Sequence, residues 1–203
     1  MPRNQYHHGD LRSALLSAAR RLVADHGPDG FTMARAAREA GVSSGAPYRH
    51  FPDRSALMAA LAQQGDEELR RRMAVATEDI ADPLEAFRQQ GIVYTRFAVE
   101  EPGWFRVMSM PEYITVREDD PEIQAFWAPF AQFIQAHGPD DPLPPQHPLM
   151  AVFAGRALVH GLASLLVQGS LEPFGISRDR AGQLADAITR FLAMPPPGPP
   201  PGT

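Results

Sequence analysis

Apolar residues fall at helical rather than strand spacing along this chain. Leu11, Leu15, Leu16, Ala19, Leu22 and Val23 recur every three or four positions and stop at His26-Gly27-Pro28. Thr32 is placed to cap a short helix through Ala40, with Gly41 at the position after its end. Ser43 or Ser44 can cap another short helix. It must stop near Phe51-Pro52, because the residue before a proline avoids the α region. Asp53 caps a long helix from Arg54 to Thr77, and Asp82-Pro83 starts one that runs to Glu101. Pro102 opens a shorter helix with Trp104, Phe105, Val107 and Met108, and Pro121 another with Phe126, Trp127 and Phe130. Gly138 to Pro148 is a proline-rich loop, and an apolar helix spans Leu149–Gln168. A last helix spans Ser177–Ala193. No run alternates apolar and polar residues strictly, so the expectation is an all-α fold of about nine helices.

Composition narrows the classes. The 203 residues are 44% hydrophobic and 21% charged, the profile of a globular chain. Having no cysteine excludes disulfide frameworks, thiolate metal sites and cysteine nucleophiles. No apolar run reaches the ~18 residues of a membrane span, and MPRNQYHHGDLR lacks the apolar core of a signal peptide. A cytoplasmic protein with no membrane partner is expected. Charge is uneven. Residues 1–55 carry eight arginines against five acids, and the remainder eleven against nineteen, within a total of -5. A small basic head on an acidic body suggests a module that faces nucleic acid.

Residues 31–57, FTMARAAREAGVSSGAPYRHFPDRSAL, hold the candidate chemistry. Two short helices flank Gly41-Val42-Ser43, the spacing of a helix-turn-helix whose second helix enters the major groove. Small residues there (Ser43, Ser44, Gly45, Ala46) let the backbone approach base edges, while Tyr48, Arg49 and His50 can reach phosphates. The helix starts near Thr32 and Arg54 add backbone N–H groups suited to phosphate oxygens. Taken alone, two short helices around a glycine also suit an ordinary helical bundle.

The order and spacing of these residues resemble the DNA-binding domain of the TetR family over about residues 6–62. Gly27 ends the first helix and Phe31-Thr32 follows. Then come Ala-x-x-Ala-Gly-Val-Ser at 37–43, Tyr-x-His-Phe at 48–51 and basic Arg54. Ala36 stands where the family commonly has isoleucine or valine, and Arg54 where it has lysine. RALVHGLASLLVQG, 156–169, is similar to a C-terminal type in this family with Trp-x-x-x-His-Gly; Arg156 or Phe153 stands where that tryptophan belongs. The resemblance implies a DNA-binding head at 1–55, a ligand-binding and dimerisation domain at 56–194, and a tail at 195–203. It implies a homodimer through the last two helices, bound to palindromic operator DNA and released by a small apolar effector. Candidate effector contacts are Tyr94, Trp104, Met108, Phe126, Phe130 and His160, which combine large apolar walls with few polar handles.

Other classes find less support. His7-His8-Gly9-Asp10 has metal-capable side chains but reads as a solvated arm, and His26 as a partner for the helix dipole. His160, beside Gly161, reads as a core or pocket hydrogen-bonder rather than a catalytic base. Neither a metal, nor a cofactor, nor an enzymatic constellation is expected. A helical small-molecule binder without operator recognition, and an architectural DNA binder without a ligand, are the alternatives.

Overall fold

The computed structural model of the chain describes residues 8–113 and 148–192, with Ala128, Gln132, Gln135, Ala136 and Gly138 between them. Among the described residues there are seven α-helices and no strand: α1 His8–His26, α2 Met33–Glu39, α3 Arg54–Thr77, α4 Pro83–Glu100, α5 Pro102–Met108, α6 Pro148–Gln168 and α7 Ala181–Leu192. The expected nine becomes seven for two reasons. The segment after Ser43 is a single 3₁₀ turn, Ala46–Arg49, rather than an α-helix. Of the helix expected from Pro121, only Ala128, Gln132, Gln135 and Ala136 are described, and these are helical; Phe126 and Phe130 lie outside the described residues, as do 195–203.

The chain divides into two compact units, Met1–Arg72 with Glu100–Thr115, and Met73–Val99 with Val116–Thr203. The first is built around one apolar cluster. Leu15, Leu16, Ala19, Leu22 and Val23 of α1 meet Leu57, Met58 and Leu61 of α3, with Phe31, Ala36 and Phe51 between them. Val107 and Tyr113, more than eighty residues after α1, complete it. α5 crosses α1 at Gly103, where an added Cβ would stand 2.1 Å from the Arg20 carbonyl oxygen. Arg106 of α5 donates to the carbonyls of Val23 (3.0 Å) and Ala24 (2.7 Å), in the last turn of α1. It thus supplies both hydrogen bonds and positive charge where helix carbonyls lack partners.

An ion-pair network borders this unit. Arg72 reaches Glu68, Glu100 and Glu101, and Arg20 pairs with Glu101 at 3.3 Å. Glu68 also receives two hydrogen bonds from Arg71, at 2.8 and 2.9 Å. The hydrogen bonds from Arg71 and then Arg72 lower its carboxyl from 4.5 to about 2. A carboxylate depressed on folding stabilises the native state above its unfolded value, and that stability disappears as pH falls from 4.5 towards 2. Glu68→Gln is therefore expected to melt below the parent at pH 7 and to match it at pH 2. Solvent screening limits the difference to less than about 1 kcal/mol. Thermal melts across that range check it, and a pH-independent difference would assign the loss to packing.

In the second unit, Ile92 of α4, Leu162 and Leu166 of α6, and Ala181 and Ala185 of α7 form the core. Gly91 lets these helices come close: a Cβ there would lie 3.0 Å from Val159 and 3.3 Å from Thr189. Thr95, fully buried, returns its hydroxyl to the Gly91 carbonyl at 2.9 Å, so no donor is stranded. Arg88 joins α4 to α7 through Asp186 and also pairs with Glu85. The last helix begins later than Ser177, because a 3₁₀ turn at Arg178–Arg180 precedes it.

Candidate nucleic-acid interface

Local hydrogen bonding explains how the 32–54 segment is shaped. Thr32 Oγ1 accepts from the Arg35 amide at 3.2 Å and starts α2. Its end is a Schellman turn, with Val42 N–H on the Ala37 carbonyl and Gly41 N–H on the Arg38 carbonyl (2.9 and 3.1 Å). Gly41 takes φ +72°, a conformation that a side chain would strain. The chain then passes through Ser43 and Ser44 without a side-chain cap, correcting the expected role of those serines. The Ser43 carbonyl instead accepts from Ala46 at 3.0 Å. Pro47 cannot donate and so keeps the helix short. Its carbonyl takes the amides of both His50 and Phe51, each at 3.0 Å.

This geometry sorts the side chains by face. Pro47 and Phe51 are buried and anchor the turn, and Arg12 lies 5.2 Å above the Phe51 ring. Ser43, Ser44, Gly45, Tyr48 and Arg49 are exposed, Ala46 and His50 half-buried. Tyr48 is 56% exposed although it is a large aromatic, which a core role would not explain. Nothing lies within 4 Å of the space beside Gly45. A partner backbone could therefore come close there.

The flanking positions divide into structural and open groups. Arg54 is half-buried and donates to the Pro28 carbonyl at 2.9 Å, tying the start of α3 to the 28–30 turn. The Asp53 carboxylate takes the Ala56 amide at 2.8 Å as the expected cap. Thr32 is exposed, with its hydroxyl oxygen engaged in capping. Arg21 is paired with Glu39, whereas Arg38 and Arg49 are exposed and form no ion pair among the described residues. Arg38 belongs to the basic head and fills an unspecified position of the 37–43 motif. Its place on the outer face of a seven-residue helix makes it a further candidate for phosphate contact.

The expected effector contacts fall in separate units. Trp104 and Met108 pack against the first unit's core, over Gly65, and Arg20 lies 4.5 Å above the Trp104 ring. Trp104 also borders a groove of about 300 Å³ with Gln64, Glu67, Glu68 and Arg71. In the second unit, Tyr94 of α4 and His160 of α6 come together, the phenol oxygen 2.8 Å from Nδ1. Phe126 and Phe130 lie outside the described residues. No helix among the described residues is long and apolar enough to cross a membrane. No group of three metal-capable side chains forms among them.

Two family models match the chain. Residues 15–61 match that of the bacterial regulatory proteins, tetR family, and 87–192 that of a tetracyclin repressor-like C-terminal domain. A nucleoid occlusion factor SlmA of Vibrio campbellii is 32% identical over 99 residues, 48% of this chain and 50% of that one. An HTH-type transcriptional repressor AcnR of Corynebacterium efficiens is 32% identical over 118 residues, 57% and 55% of the two chains. The chain thus spans about half the length of these curated relatives. Among solved structures, a protein with unknown function from Rhodococcus sp. RHA1 is similar at a TM-score of 0.61 and 28% identity, over 95% of this chain and 100% of that one. A TetR family transcription regulator from Marinobacter aquaeolei VT8 is similar at 0.56 and 26%, over 90% and 94%.

Proposed function

Because the chain belongs to the TetR family of bacterial regulatory proteins, we propose that it is a sequence-specific DNA-binding transcriptional repressor whose operator is a palindrome. The observation that carries this reading is the exposed Ser43–Arg49 turn. It is a rigid, small-residue edge mounted on buried Pro47, with Tyr48, Arg38 and Arg49 uncommitted around it. Ser43, Ser44, Gly45 and Ala46 face the bases; Tyr48, Arg49, His50 and Thr32 reach phosphates, and Arg54 holds the frame. Residues 1–55 supply these contacts, and 56–194 dimerisation and effector binding. Selection of duplexes from a random pool tests the assignment. It should return a two-fold symmetric sequence, and affinity should fall steeply with salt as phosphate contacts release counterions. An unselective pool would favour the alternative, a helical small-molecule binder without an operator.

The palindrome requires two copies, and the outer face of α6 suits their pairing. Ala157, Gly161 and Ser164 form a small-residue strip, flanked by Leu158 and Leu165, which are 39% and 43% exposed. A Cβ at Gly161 would meet no atom within 4 Å. Gly161→Arg should therefore fold normally alone but place a cation in the paired face. Light scattering should then find a monomer with operator affinity reduced at least tenfold. An intact dimer would move the interface elsewhere. For release, the reading assigns a small apolar effector to the second unit around Tyr94 and His160. It would act by binding two arrangements of the dimer unequally, a coupling typically of about 1–3 kcal/mol.

A further inference from the structure

The core-facing side of α1 ends in a cation. Arg12, Leu15, Leu16 and Ala19 share one face of the helix, and the last three are buried. The apolar stripe would continue at position 12. An exposed arginine stands there instead, its guanidinium carbon 5.2 Å from the centroid of the Phe51 ring. Phe51 is buried and follows exposed Tyr48 by three residues, so no more than about 11 Å of chain separates them. The ring thus holds a charge from α1 beside the side chains proposed to reach phosphates.

Most cations of this unit are already engaged. Among its described arginines, Arg20, Arg21, Arg70, Arg71 and Arg72 pair with carboxylates. Arg35, Arg54 and Arg106 donate to backbone carbonyls. Arg12, Arg38 and Arg49 are left, all exposed and with no ion pair or hydrogen bond to a described residue. Arg38 and Arg49 lie on the helix-turn-helix itself, whereas Arg12 comes from α1. A ring face attracts a cation through its quadrupole and takes none of its N–H donors. An arginine held in this way keeps all five for an oxyanion. Had covering Phe51 been the only requirement, an uncharged apolar side chain at position 12 would extend the stripe and do the same. We infer that Arg12 is a further DNA contact, one that receives a phosphate on a guanidinium positioned by Phe51. The inference rests on the operator reading above and adds α1 to the elements that touch the duplex.

The salt dependence of binding to the selected duplex tests this, read by anisotropy with the full chain and with a thermal melt of each variant. Arg12→Met keeps a flexible side chain over Phe51 and removes the charge, whereas Arg12→Lys keeps the charge. Two heads lose one phosphate each in Arg12→Met, so its slope of log affinity against log salt should be shallower by about 1.8. Between about 50 and 200 mM salt the parent should then lose roughly twelvefold more affinity than this variant. Arg12→Lys should hold the parent's slope. Arg71→Gln, which removes a cation paired with Glu68, should leave it unchanged. Selection should return one sequence from parent and Arg12→Met alike, because a phosphate contact carries no base information. A parent-like slope in Arg12→Met would overturn the contact and leave the operator reading intact. Arg12 would then be cover for the ring, whether or not the melting temperature falls. An equal change in Arg71→Gln would overturn it too, since net charge alone would account for the effect. A parent that selects no duplex would overturn both.

Discussion

Tyr48→Ala is expected to bind the selected operator about a hundredfold more weakly than the parent while melting at the same temperature. The side chain is 56% exposed, so its removal leaves no cavity and stability should change by less than about 0.5 kcal/mol. Its neighbour Pro47 is buried and fixes the turn, so the phenol is presented with little freedom to lose. A hydrogen bond to a charged phosphate contributes about 1.5–3 kcal/mol, and a dimer makes it twice. Even the lower figure gives about 3 kcal/mol, or roughly a hundredfold. Arg49→Ala provides the internal contrast. Removing a neutral phenol lowers affinity without altering the salt slope, whereas removing one cation per head makes the slope shallower by about two. Ser44 substitutions should instead change which sequence is selected. Anisotropy titrations at several salt concentrations read all three. Parent-like binding by both Tyr48→Ala and Arg49→Ala would remove this turn from the groove. Arg54→Glu is a poorer probe, since Arg54 also bonds the Pro28 carbonyl and its loss disturbs the frame.

Gly103→Ala should be the most damaging single-methyl change in the first unit. The new Cβ would sit 2.1 Å from the Arg20 carbonyl oxygen and 2.9 Å from the Arg20 side chain. That carbonyl is part of the α1 backbone and cannot rotate away as a side-chain tip would. One helix must shift by more than an ångström, which also pulls Arg106 off the Val23 and Ala24 carbonyls and Val107 out of the core. Overpacking alone costs about 1–3 kcal/mol, and the coupled losses raise the expectation to roughly 4 kcal/mol. Gly91→Ala, whose nearest neighbour is a valine methyl at 3.0 Å, should cost less than half of that. Urea unfolding of the two variants checks the order. A Gly103→Ala midpoint within error of the parent would mean that the crossing of α1 and α5 is looser than described.

Much of this was legible because capping and periodicity are local. Thr32, Asp53 and Asp82 cap where a sequence reading puts them, Gly41 turns left-handed, and α3 has the expected bounds. The 3₁₀ turn at 46–49 was not, because small residues and a proline state where a helix is possible, not how many turns survive once Pro47 withholds its amide. Arg106 at the end of α1 was illegible for a different reason. His26 is the neighbour in sequence, but the group that caps those carbonyls arrives from more than eighty residues away. Aromatics between 87 and 133 carry no mark of unit or role. Trp104 and Tyr94 look equivalent in sequence, yet one packs against the first unit's core and the other meets a histidine in the second.

The late arrival of α5 has a consequence for biosynthesis. A ribosome that has released the first 72 residues has delivered every candidate DNA contact, but neither Val107 and Tyr113 nor the arginine that closes α1. Loop closure over such a separation precedes the contacts that reward it, so this unit matures slowly for a helical one. The nascent head emerges with part of its apolar face uncovered, and the segment that covers it comes only after α4 has been translated. A fragment that ends after α3 would therefore lack the residues that close this core, and is expected to melt lower than the same unit completed to Tyr113.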